Sequence, residues 1–119
     1  MNIKKFAAIT WTFFIIIASV IPIPELSIEE QDKTLSFGHT FSYTILSILW
    51  VFALGFNSKA LFISIALTPL TETLQLAIPW RNSNILDLRN NFLGVIIAFI
   101  ILYILKKLSK VIIFLNGFK

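Results

Sequence analysis

Four apolar runs separated by short polar breaks constrain this chain more than any single motif does. The first, Phe6 to Ile21, follows Lys4 and Lys5 and closes at Pro22 and Pro24. The second runs from Leu35 to Phe56, the third from Ala60 to Ile78, and the fourth opens near Ile85. Each approaches the roughly 20 residues that cross about 30 Å of hydrocarbon at about 1.5 Å per residue. The composition agrees: 57% hydrophobic, 13% charged and a mean hydropathy of +0.87 leave too little polar surface to cover a fold in water. The expected fold class is all-α, a polytopic membrane protein of four transmembrane helices. They form a single domain over residues 1–119, with spans near 5–22, 35–56, 60–78 and 86–105.

A basic start followed by an apolar run also describes a signal peptide, with Ala18-Ser19-Val20 as a small-residue site. The run is long for such a core and three more follow it, so an uncleaved first span is expected. Glu25 to Lys33 is the longest hydrophilic interval and reads as a solvated loop. Four spans put Lys4, Lys5, Lys59, Lys106, Lys107, Lys110 and Lys119 on one side, and Lys33, Arg81 and Arg89 on the other. By the positive-inside rule both termini are cytoplasmic, and the Glu25–Lys33 and Arg81 loops face outward. The apolar tail Val111 to Leu115, beside Lys110, is too short to span and is expected in the cytoplasmic headgroup region. The basic residues sit at chain ends and not on a polar face, so the partner is a lipid bilayer and not nucleic acid. Cysteine is absent, and neither a metal-ligand spacing nor a cofactor motif is present. Nothing in the sequence sets the oligomeric state.

Polar side chains inside the runs fall on stripes. At 100° per residue, Asp32, Ser36, His39, Tyr43 and Trp50 share one face of the second helix. Thr68, Glu72, Gln75 and Pro79 share one of the third, and Asp87, Asn91, Gly94 and Ala98 one of the fourth. His39 and Glu72 should both lie about 5 to 10 Å below the outer interface. Hydrocarbon rejects such groups, so the simplest packing brings the stripes together in a cleft open to the outside. Arg81, His39 and Tyr43 are candidate partners for Glu72, and Asp87 is placed to cap the fourth helix. Pro69 frees the carbonyl of Ile65 and predicts a kink below Glu72. Trp80 is expected as an interface anchor, and Trp11 and Trp50 in packing or lipid-facing positions.

An E-x-x-Q pair (Glu72, Gln75), a following loop arginine (Arg81) and a D-x-x-x-N-x-x-G helix start (Asp87, Asn91, Gly94) resemble the second half of the VanZ-like family of small bacterial membrane proteins. Asp32-Lys33 and the H-x-x-x-Y of His39 and Tyr43 resemble its first half, across a longer interval than is usual. Ala98 stands where a second glycine is often found. The resemblance implies a four-span protein of the bacterial cytoplasmic membrane. The family is named for a component of glycopeptide resistance that raises tolerance to teicoplanin without remodelling the peptidoglycan terminus.

Three functions compete at this stage. One is an envelope protein binding a lipid-linked or glycopeptide ligand in the outer cleft, with Asp32, Lys33, Tyr43, Gln75, Arg81, Asn91 and Gly94 as binding residues. Arg81 and Lys33 would then hold an anionic group. Another is an intramembrane enzyme acting on lipid-linked glycans or phosphates, with Glu72 as general base and His39 or Asp87 as acid. In the third the stripes are interhelical glue in a subunit of a larger complex.

Overall fold

In the computed structural model of the chain the described residues are 2–22, 28–81 and 84–117, without the side chains of residues 28–32 and 115. They form four helices: α1 (Ile3–Val20), α2 (Ile28–Leu54), α3 (Ser58–Leu76) and α4 (Ile85–Asn116). Three segments, Ile3–Val20, Lys33–Leu54 and Ile85–Phe114, are long and apolar enough to cross a membrane.

Two expected boundaries move. The interval read as a solvated loop is helical from Ile28 onward. Glu29, Glu30 and Gln31 are good helix formers, and acidic residues in a first turn suit the helix dipole. Glu25 lies outside the described residues. At the other end α4 does not stop near residue 105 but continues through the apolar tail to Asn116. Its 32 residues reach about 48 Å, well beyond a hydrocarbon thickness.

The connections follow from local chemistry. Gly55 adopts φ +90 after α2, and its N–H bonds to the Val51 carbonyl, a helix stop that suits a residue without Cβ. Asn57 then caps α3 by accepting from the N–H groups of Lys59 and Ala60. Asn84, and not Asp87, caps α4, accepting from Leu86 N–H at 3.0 Å. Asp87 occupies the first turn, where its charge still suits the dipole.

α2 is the central helix and packs against α1, α3 and α4, most extensively against α4. Gly94 makes that closeness possible. A Cβ there would collide with the Thr40 carbonyl oxygen and lie 3.0 Å from both Thr44 N and Tyr43 Cβ. Across the same seam the Thr40 and Thr44 hydroxyls donate to the carbonyls of Asn90 and Gly94. α1 is held to α2 by tryptophan: Trp11 Nε1 donates to Ser42 O at 3.0 Å, and Trp50 Nε1 to Thr12 Oγ1 at 3.2 Å. Trp11 packs on the buried core around Leu46, and Trp50 on that core and on the one around Val51.

α3 is built inside out. Its buried face carries Ala60, Ser64, Thr68, Thr71, Glu72 and Gln75, whereas Phe62, Leu70 and Leu76 are exposed. Pro69 sits within a continuous helix. The Ile65 carbonyl that proline leaves without an N–H is taken by the Thr68 hydroxyl.

Candidate functional site

The polar stripes of α2, α3 and α4 meet. Asn91 is fully buried and joins them: its Nδ2 donates to Glu72 Oε1 at 2.9 Å, and its Oδ1 lies 2.8 Å from His39 Nδ1. His39 Nε2 is 3.7 Å from Asp87 Oδ1, one turn back on α4. A chain of contacts therefore runs Glu72, Asn91, His39, Asp87 across three helices. The geometry sets the ring's proton. An amide whose nitrogen faces a carboxylate turns its oxygen toward the histidine, so Nδ1 carries a hydrogen and donates. Nε2 then faces Asp87, and the pair attracts when that nitrogen is protonated too.

Tyr43, almost wholly buried, ties α2 to α3 just below. Its hydroxyl donates to Leu67 O at 3.0 Å and pairs with Thr71 Oγ1.

Beside this chain lies a cavity of about 490 Å³. Its apolar walls include Phe14, Ile15 and Ile21 from α1 and its end, and its polar lining includes His39, Tyr43, Gln75 and Arg81. Gly38 also lines it, and a Cβ there would meet nothing within 4 Å. Among the sequence candidates, then, His39, Tyr43, Gln75 and Arg81 border the space. Glu72, Asn91, Asp87 and Gly94 stand behind its wall, the first three linked to it through His39. Gly94 serves the α2–α4 seam. Lys33 is exposed in α2, and the side chain of Asp32 lies outside the described residues.

Arg81 has a partner that the sequence did not suggest. Its Nε donates to Ser19 O at 2.9 Å and one of its terminal nitrogens to Ala18 O, while Trp80 Nε1 donates to Val20 O at 3.0 Å. Ile21 N–H closes on Ile17 O. The last four carbonyls of α1 are thus all satisfied, three of them by the loop after α3. These bonds occupy two nitrogens of the Arg81 guanidinium, the group expected from the sequence to hold an anionic ligand. Nε and a terminal nitrogen are committed to the negative end of the α1 dipole. Burial pushes the Arg81 guanidinium below its ordinary value, and the Asp87 and Glu72 carboxylates pull it back up. An arginine stays charged at any working pH.

Sequence reasoning missed Thr71, Gly38 and the α1 carbonyls. Thr71 was legible in principle, since it completes the 68, 71, 72, 75 helical pattern. The carbonyls of Ala18 and Ser19 carry no side-chain signal at all. Chemically, the arrangement offers one imidazole facing a cavity with apolar walls, oriented from behind by an amide and a carboxylate. Comparison with family models, with curated proteins and with solved structures matches nothing to this chain, so its resemblance to the VanZ-like family rests on the motifs alone.

Proposed function

We propose that this chain is a VanZ-like envelope protein of the bacterial cytoplasmic membrane. It crosses the bilayer four times with both termini inside, and it holds an amphiphilic extracytoplasmic ligand, lipid-linked or glycopeptide, in the cavity beside His39. The observation that carries the reading is the convergence of Glu72, Asn91, His39 and Asp87 from three helices next to a space walled by apolar side chains. An apolar tail suits the α1 wall, and a hydrogen-bonding head suits His39 and Gln75. The fourth span is supported by α3: its low hydropathy comes from the face turned inward, and its outward face is apolar. Tolerance to teicoplanin, a glycopeptide with a lipid tail, is one phenotype that such binding would produce.

The second reading is an enzyme acting on lipid-linked glycans or phosphates, favoured by the imidazole at the cavity wall with Asp87 beside it. His39 would then carry the acid–base step, and Glu72 would orient it through Asn91. One experiment separates the two. A deletion strain complemented with wild type, Glu72→Gln or Asp87→Asn is profiled for lipids and glycans and tested for teicoplanin susceptibility. Binding predicts partial function in both variants; catalysis predicts loss of product in Asp87→Asn at normal protein level. A profile unchanged by the deletion, with susceptibility also unchanged, would remove both readings.

A further inference from the structure

A second space, about 520 Å³, lies between α3 and α4 and runs from the level of Phe92, beside Asn91, toward the opposite end of the molecule. Its wall is wholly apolar and includes Phe56, Ile65, Phe92, Ile96, Phe99 and Tyr103. From Phe92 to Tyr103 the groove follows α4 for roughly 16 Å at about 1.5 Å per residue, close to half of a hydrocarbon core about 30 Å thick. That is the length of one leaflet. Two cations stand at its end: Lys106 Nζ lies 5.2 Å from the centre of the Phe56 ring, and Lys107 Nζ 5.2 Å from that of Tyr103. Both rings belong to the groove wall, so the ammonium groups are held at its mouth. Lys59 lies in the first turn of α3. Among the described residues, Glu29, Glu30 and Asp32 lie at the start of α2, Glu72 near the end of α3 and Asp87 at the start of α4, at the other end of the helices from Phe56 and Lys106.

We propose that this groove is a site for one anionic phospholipid, with an acyl chain along α4 and the phosphate at Lys106 and Lys107. An uncharged lipid would fill the apolar part equally well; the lysines select the charge. A second copy of this chain would need acidic groups to answer those lysines, and the described residues place none at this end.

The test uses the full chain reconstituted in vesicles of equal parts phosphatidylglycerol and phosphatidylcholine, then extracted in mild detergent, with retained lipid identified by mass spectrometry. Phosphatidylglycerol should be enriched, with the enrichment falling about five-fold for each of Lys106→Gln and Lys107→Gln. Ile96→Trp, which fills the groove, should lower retained lipid of both kinds with the lysines intact. The double change Lys4→Gln, Lys5→Gln removes twice the charge of either single change elsewhere in the chain and should leave the enrichment in place. Equal recovery of the two lipids by wild type overturns the proposal. So does an enrichment lost equally in the Lys4, Lys5 variant, which would make it a property of net charge. A change from dimer to monomer in Ile96→Trp without loss of lipid would also overturn it, by making the groove a self-interface.

Discussion

Asn91 Nδ2 donates to Glu72 Oε1 at 2.9 Å, and because a carboxylate accepts only, that contact fixes which end of the amide faces His39. Asn91→Leu keeps roughly the side-chain volume and deletes both hydrogen bonds. It removes one partner from a buried carboxylate and the acceptor from His39 Nδ1, so the expected loss of stability is about 1 to 3 kcal/mol. If instead the interaction behaves as an average interhelical hydrogen bond, the loss is about 0.6 kcal/mol. Unfolding in detergent followed by circular dichroism separates these figures. Nitrogen-15 spectra of the single histidine supply a second check. Wild type should show a proton on Nδ1, and Asn91→Leu should lose that tautomer preference; a wild-type ring protonated on Nε2 alone would sink the assigned amide orientation.

The α2–α4 seam allows no added atom at Gly94. Gly94→Ala improves helix propensity by up to about 1 kcal/mol on intrinsic scales, yet it drives a methyl group into the Thr40 carbonyl. Backbone cannot turn aside as a side-chain end can, so α4 must move away from α2, at a net cost of about 1 to 3 kcal/mol. The movement should also lengthen the His39–Asn91 contact. A melting temperature equal to or above wild type would show that the helices are not as close as described.

Much of this architecture was legible in the sequence because hydropathy and helical periodicity act on every residue of a span. Rotation by 100° placed His39, Glu72, Asp87 and Asn91 on inward faces, and the inward faces met. What stayed hidden involved backbone. The carbonyls of Ala18 and Ser19 that Arg81 binds have no residue type to announce them. Tyr43 borders the cleft as its stripe implies, but the bonds from its hydroxyl to Leu67 O and Thr71 had no signal in the residue pattern. The α2 start was missed for another reason: a polar run of Glu and Gln is equally compatible with a loop and with an exposed helical turn, and hydropathy does not distinguish them.

The loop after α3 closes the end of α1, which makes a graded prediction. Trp80→Phe removes only the hydrogen bond to Val20 O and should cost about 1 kcal/mol or less. Arg81→Ala removes the bonds to both Ala18 and Ser19 and leaves two carbonyls at a helix terminus without partners, for a loss of about 1 to 3 kcal/mol. Arg81→Lys should fall between them, because a single ammonium lacks the planar fork that reaches two acceptors. Amide exchange in Ala18 to Ile21 reports the effect locally. Equal exchange in all four proteins would mean that α1 ends without help from this loop.

Gly38 allows the cavity to be blocked without disturbing the contacts around it. Since a Cβ there meets nothing within 4 Å, Gly38→Ala should be tolerated and should stabilise α2 by roughly 0.5 to 1 kcal/mol through helix propensity. Gly38→Phe projects a ring into the same space, between the α1 wall and His39. If the cavity holds the tail or head of an amphiphile, the alanine variant should behave as wild type, and the phenylalanine variant should lose binding by tenfold or more, about 1.4 kcal/mol, while keeping its helicity and melting temperature. Measured with teicoplanin and with a lipid-linked glycan as separate probes, that contrast distinguishes occupation of this space from a general loss of folding. A phenylalanine variant that binds as well as wild type would place the ligand elsewhere.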